Sequence, residues 1–156
     1  MIHASIYEKP TIMSHTKIMV HLVWATKSRE PSIRKEIRSK LIDHIRSYAK
    51  EKEIFTIILN CHVDHVHCLI SLRDDQNIRK IVQLIKGESS HWINQEKLLV
   101  GRFAWQESYF AVSVSESGVE RVKAYIRNQE EHHRKRTFQD EYLEFMRIYG
   151  FKDSPE

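Results

Sequence analysis

Residues 54–71 read IFTIILNCHVDHVHCLIS, and this stretch determines the expected fold. Its two runs, 54–60 and 65–71, are rich in β-branched and other apolar residues, and a few polar residues separate them. This is the pattern of two antiparallel strands joined as a hairpin. The elements on either side of the hairpin then indicate what packs against it.

The second run of this hairpin has two unlike faces. Side chains alternate across a strand, so His65 and His67 share one face while Val66, Cys68 and Ile70 share the other. The apolar face suits packing against helices. The two imidazoles can converge on one cation, or they can be the polar residues of a half-exposed sheet. The spacing alone leaves both interpretations open.

The rest of the chain supplies strands and helices in alternation. KIMVHLVWA reads as a buried strand, whereas Ile33, Ile37, Leu41 and Ile45 recur at helical steps. In chain order the sequence predicts, besides the hairpin, a strand at 17–25, helices at 33–51 and 77–97, short strands at 103–106 and 109–115, a helix at 118–134 and a last helical piece at 138–149.

The succession β-α-β-β-α-β predicts the fold class. It favours an α+β, ferredoxin-like sandwich, in which an antiparallel sheet carries two helices on one face and leaves the other face for a substrate. At 156 residues the chain fits one domain. We expect a lead-in at 1–12, the domain at 13–150 and a tail at 151–156.

Composition excludes some classes of protein and permits others. Hydrophobic residues make up 41% and charged residues 29%, and no apolar run approaches the roughly 18 residues of a membrane helix. The N-terminus does not read as a secretory signal, so a cytoplasmic location is expected. The net charge of +4 permits an anionic partner. Cys61 and Cys68 are predicted to be reduced and buried.

Other polar residues near the hairpin allow two interpretations. His62 and Asp64 can join a metal site or merely shape the turn, and the turn role is favoured. His21, on the first strand, can face either the core or the histidine surface. On the helix at 118–134, Tyr125 and Gln129 are four residues apart, so a phenol and an amide emerge on one helical face.

Five blocks of the sequence resemble the single-tyrosine HUH transposases, named for a histidine, hydrophobic, histidine motif. The family includes small bacterial insertion-sequence and REP-associated enzymes, and the resemblance covers about residues 13–150. One departure is Val63, where the family often has proline. The blocks are HLVWATKSREP at 21–31, VDHVHCLI at 63–70, KGESSHWIN at 86–94, WQESYFAVSVS at 105–115 and YIRNQEEHH at 125–133.

The resemblance implies a metal-dependent transposase with a C-terminal tyrosine-bearing helix. Such an enzyme cleaves and rejoins single-stranded DNA at hairpin-marked element ends through a 5′-phosphotyrosine intermediate. Carried over by position, His65, His67 and Gln129 are the metal ligands and Tyr125 is the nucleophile. The family implies Mg²⁺ or Mn²⁺, although imidazoles by themselves suit zinc, copper, iron or nickel better. It also implies a nucleoid-associated homodimer. No phosphate-binding loop is present, so no nucleotide is expected.

DNA contacts are expected from basic and aromatic side chains. For each of them the alternative is ordinary: a solvated surface for the basic residues and core packing for the aromatic ones. The basic candidates are Arg127, Arg134, Lys135, Arg136, Lys27 and Arg29, and the aromatic candidates are Trp24, Trp92, Trp105 and Tyr109.

Two other functions remain open from the sequence. One is a non-catalytic or domesticated protein that binds single-stranded nucleic-acid hairpins on the same fold. The other is a hydrolytic metalloenzyme that activates water, and this function would not require Tyr125.

Overall fold

A computed structural model describes residues 14–131 and 136–148 of the chain. The predicted lead-in at 1–12 and tail at 151–156 lie outside these residues. The strands are β1 (Ile18–Ala25), β2 (Phe55–Cys61), β3 (His65–Leu72) and β4 (Phe110–Val114), and the helices are α1 (Lys35–Glu51), α2 (Ile78–Gln95), α3 (Val119–Arg127) and α4 (Phe138–Ile148).

The four strands form one antiparallel sheet in the order β2-β3-β1-β4. This order confirms the predicted ferredoxin-like arrangement. The hairpin between β2 and β3 is tight, because the amide of His62 donates to the carbonyl of His65 over 2.8 Å. The predicted strand at 103–106 is wrong. Within it only Trp105 pairs, in a single isolated bridge to Thr26.

One face of the sheet packs against α1 and α2. Val66, Cys68 and Ile70 of β3 are fully buried in this main core. The helical periodicity in the sequence predicts which side of each helix packs on the sheet, since every third or fourth residue faces it. The buried helix residues are Ile37, Leu41, Ile45 and Ala49 of α1, and Ile81, Val82, Ile85, Ser89 and Ile93 of α2.

The opposite face of the sheet is covered as well, and the expectation of a free face is wrong. Ile126 of α3 packs with Met19 and Leu69 in a second apolar cluster. The reason lies in α3 itself, whose stripe of Val119, Val122 and Ile126 needs an apolar surface. The two helices predicted on one face are therefore joined by a third on the other.

The tyrosine-bearing helix is shorter than predicted. α3 ends at Arg127, Asn128 forms a turn with φ −97° and ψ 28°, and residues 129–131 are helical again. Two side chains donate hydrogen bonds to carbonyls in its last turn. Asn60 of β2 donates to the Ile126 carbonyl over 2.8 Å, and Gln129 donates to the Tyr125 carbonyl over 3.2 Å.

The block KGESS at 86–90 holds α2 to the segment before β4. Lys86 Nζ donates to the carbonyls of Gln106, Glu107 and Ser108, the last two over 3.0 and 3.5 Å. Trp105 donates from its indole nitrogen to the Ser89 hydroxyl over 2.9 Å. These contacts give the block a structural role. None of the helices in the described ranges is both long and apolar enough to cross a membrane.

Candidate metal centre

The two histidines of β3 lie side by side in a closed interior. His65 and His67 are each 0% exposed, and their ring centroids are 5.0 Å apart at 76°. Strand alternation places both side chains on the face covered by α3. Sequence reasoning thus predicted their shared face correctly, but their complete burial comes from the elements packed above them.

Gln129, the expected third ligand, lies beside the histidines. Its side chain is 1% exposed, and its Oε1 lies 3.3 Å from Nε2 of His65. The amide nitrogen donates to the Tyr125 carbonyl, so the oxygen is the atom that faces the histidine. This orientation suits a carboxamide that supplies an oxygen ligand.

Glu141 of α4 is a member of the site that sequence reasoning missed. Its carboxylate oxygens lie 3.3 Å from Nε2 of His67 and 3.7 Å from Nε2 of His65. Burial raises the pKa of this carboxyl to about 7, against the lowering effect of His65. The sequence held one signal, since Glu141 falls between Phe138 and Phe145 at helical spacing, where an apolar residue is usual.

Each histidine also has a partner on its other ring nitrogen. Nδ1 of His65 lies 2.7 Å from Oδ1 of Asp64, and Nδ1 of His67 lies 2.9 Å from Nε2 of His21. Burial, followed by the nearby His67, lowers the pKa of His21 well below its ordinary value. His21 therefore faces the histidine surface, which resolves the alternative that the sequence left open. Asp64 does more than shape the turn.

Tyr125 packs beside these rings at the edge of the second apolar cluster. Its ring centroid lies 5.6 Å from that of His67 and 6.3 Å from that of His21, edge-on in both cases. The ring is half-buried. The structure thus brings the predicted nucleophile and the three predicted ligands into one region.

The basic candidates are more scattered. Lys27 and Arg127 are exposed, while the guanidinium of Arg29 lies 5.2 Å from the ring centroid of Tyr142 on α4. Arg136 forms an ion pair with Glu144. Two further candidates, Arg134 and Lys135, lie outside the described residues.

The aromatic candidates divide between core and surface. Trp24 and Trp105 are buried against each other with centroids 6.1 Å apart, so core packing is the correct interpretation for both. Trp92 stacks on His44 with ring centroids 3.9 Å apart. Tyr109 is 37% exposed. Of the four, Tyr109 is the only exposed one.

Both cysteines are free and buried, as predicted. Burial raises the pKa of each thiol to about 12, so neither is a reactive thiolate near neutral pH.

The side chains at this site fit a divalent cation. Ligand atoms of His65, His67 and Glu141 all lie within 4.8 Å of one another, and the Gln129 oxygen adjoins them. Two imidazole nitrogens with a carboxylate and a carboxamide oxygen form a mixed donor set. The oxygen donors move its preference toward harder ions such as magnesium and manganese.

Comparison with known proteins agrees with this architecture. The family model of IS200-like transposases matches residues 14–129. The ISDra2 transposase TnpA of Deinococcus radiodurans is 31% identical over 115 residues, which cover 70% of this chain and 81% of that protein.

Solved structures share the fold. A Deinococcus radiodurans R1 protein assigned as a transposase superposes with a TM-score of 0.60 and 28% identity, over 74% of this chain and 93% of its own. A REP-associated tyrosine transposase bound to a REP hairpin has a TM-score of 0.58 and 13% identity, over 78% and 72%. Since the family model spans most of the sequence and a relative is 31% identical over 70% of the chain, the chain belongs to the family of IS200-like transposases.

Proposed function

We propose that this transposase cleaves and rejoins single-stranded DNA at hairpin-marked element ends, with Tyr125 as nucleophile. One observation carries the proposal: the Tyr125 ring packs 5.6 Å from that of His67, whose Nε2 belongs to the donor cluster. A tyrosine buried in the apolar core far from this cluster could not serve as a nucleophile at the metal site. Family membership supports a DNA-cleaving and strand-transferring activity.

The divalent ion, Mg²⁺ or Mn²⁺, would be held by His65, His67 and Gln129, with Glu141 as an additional oxygen donor. When bound, it supplies positive charge that polarises a nonbridging phosphate oxygen. Strand β3 fixes the positions of His65 and His67. The segment formed by α3 and residues 129–131 places the Gln129 carboxamide beside them. No nucleotide is needed, because the energy of the cleaved bond is kept in the ester.

The phenol performs the covalent step. The Tyr125 oxygen loses its proton and bonds to phosphorus, while the bond from phosphorus to the 3′-oxygen breaks. The released oxygen takes up a proton and becomes a 3′-hydroxyl, and the 5′-phosphate stays on the tyrosine. A 3′-hydroxyl of another strand reverses these events and rejoins the DNA. The free phenol has a pKa of about 10, so removal of its proton must be assisted.

DNA would be held by the exposed basic surface. A cleft of about 920 Å³ is lined by Lys27, Ser28 and Arg29 together with residues 104–108. Arg29 also contacts Tyr142, the neighbour of Glu141 in sequence, so this cleft adjoins the helix that reaches the metal site. The REP-associated relative bound to a hairpin supports a hairpin substrate. The protein would act as a homodimer, as the family resemblance implies.

The covalent intermediate gives the decisive test. Protein, Mn²⁺ and single-stranded DNA spanning a candidate element end are incubated, and a denaturation-resistant protein–DNA adduct is sought by gel electrophoresis. Tyr125→Phe is expected to abolish the adduct with little change in DNA affinity, because only the hydroxyl is lost. Tyr48→Phe, on α1, is the matched control and should form the adduct normally.

The other outcomes identify the alternative functions. An adduct that persists in Tyr125→Phe would refute the nucleophile. Cleavage without any adduct in the unaltered protein would indicate a metalloenzyme that activates water. Hairpin binding with no cleavage would indicate a non-catalytic or domesticated binding protein.

A further inference from the structure

Both histidines of the donor cluster use their two ring nitrogens in the same way. Nε2 of each ring faces Glu141, and Nδ1 faces a partner behind the cluster, Asp64 for His65 and His21 for His67. A neutral imidazole has one N–H and one lone pair. The group that binds Nδ1 therefore decides whether Nε2 has its lone pair available for a metal.

We propose that His21 is a positioning residue for the metal site. Its Nε2 accepts a hydrogen bond from Nδ1–H of His67 and so fixes the tautomer in which Nε2 of His67 can bind a cation. Asp64 has the same role for His65 through its carboxylate. This inference rests on the proposed metal site, and it adds two residues that act through the ligands His65 and His67.

The place of His21 in the sheet supports this role. His21 pairs directly with Leu69 across β1 and β3, so it shares the face of His67 and lies diagonally from it. Its ring centroid is 5.1 Å from that of His67. The next residues along the strand on that face are Met19 and Val23, and both are buried apolar residues.

A histidine at this position is costly unless it has a specific contact. His21 is 2% exposed, and burying a polar ring among apolar neighbours is unfavourable unless it is hydrogen-bonded. An aliphatic residue would fill the same space without that cost. The short contact to Nδ1 of His67 is what a histidine provides here and an aliphatic residue does not.

A pair of variants separates hydrogen bonding from packing. His21→Gln keeps an acceptor oxygen at a similar reach, whereas His21→Leu fills the space without an acceptor. Mn²⁺ binding is measured by electron paramagnetic resonance, with circular dichroism to confirm folding. We expect the affinity of His21→Leu for Mn²⁺ to fall about 10- to 100-fold and that of His21→Gln to stay within a few-fold of the unaltered protein.

A second measurement needs no variant. In ¹⁵N-histidine-labelled protein saturated with Mg²⁺, the imidazole nitrogen shifts of His65 and His67 report which nitrogen is protonated. We expect Nδ1–H for both rings. Mn²⁺ binding by folded His21→Leu equal to that of the unaltered protein would overturn the role of His21 while leaving the proposed function standing. A proton on Nε2 of His67 would overturn both the role of His21 and that of His67 as a ligand. If the unaltered protein bound no Mn²⁺, both the metal site and this inference would fall.

Discussion

The two faces of β3 are equally closed to solvent and differ in what fills them. Val66, Cys68 and Ile70 face α1 and α2 and belong to the main hydrophobic core. His65 and His67 face polar atoms from three other parts of the chain. Burial therefore does not by itself separate a core residue from a site residue. The separation lies in whether the buried neighbours are apolar groups or convergent donors.

The largest expected effect tests the apolar face. Ile70→Ala should lower the free energy of unfolding by about 2–5 kcal/mol, because it leaves a cavity in a fully buried position. Urea denaturation measures the loss. Ile18→Ala, at a 43% exposed position of β1, is the control and should cost much less. Equal losses for the two variants would contradict a rigid core on this face.

Substitutions on the histidine face of β3 should change metal binding. His67→Ala removes one donor and is expected to weaken Mn²⁺ binding more than about 100-fold, which equals about 2.7 kcal/mol. Titration of Mn²⁺ measures the change, with exposed His91→Ala as the control. Unchanged binding in His67→Ala would show that the buried imidazoles are structural. Ile70→Ala, while folded, should bind Mn²⁺ almost normally, which sharpens the contrast between the two faces.

A smaller effect is expected where β2 holds the tyrosine helix. Asn60 donates to the carbonyl of Ile126 and accepts from the amide of Cys61. Asn60→Ala should destabilise the protein by about 1 kcal/mol, the usual net value of such a bond. Thermal unfolding monitored by circular dichroism measures this change. Exposed Gln95→Ala should be nearly neutral, and an equally neutral Asn60→Ala would mean that the bond contributes little.

The smallest effect concerns the surface. If Arg127 contacts a phosphate, Arg127→Gln should reduce the slope of log affinity against log salt by about 0.7 for single-stranded DNA. Fluorescence anisotropy at several salt concentrations measures this slope. Arg46→Gln, on the outer side of α1, should leave it unchanged. The same slope in both variants would remove Arg127 from the DNA surface.

Local patterns predicted most of the fold. Alternation along β3 and the three- and four-residue steps in α1 and α2 depend on neighbours in sequence, and these elements were predicted to within about two residues of the observed bounds. The strand at 103–106 failed for a physical reason. Its apolar residues Phe103 and Trp105 are buried because they pack into the core, while only Trp105 pairs with another strand.

The candidate site was predictable only where the pattern was local or the family motif was present. The shared face of His65 and His67 follows from alternation, and the place of Gln129 and Tyr125 follows from the resemblance. Glu141 joins the site through tertiary packing of α4, and His21 joins it through the register of β1 against β3. Neither the packing nor the register is determined by neighbours in sequence.

The hydrogen bond from the Gln129 amide to the Tyr125 carbonyl has a consequence for any assembly of this protein. It joins, across the turn at Asn128, the two residues that the proposed function assigns as the attacking hydroxyl and one cation-binding oxygen. An exchange of this segment between two copies of the chain would carry both residues together. Each proposed reaction centre would then take both groups from the same molecule, whichever molecule provides the strand histidines.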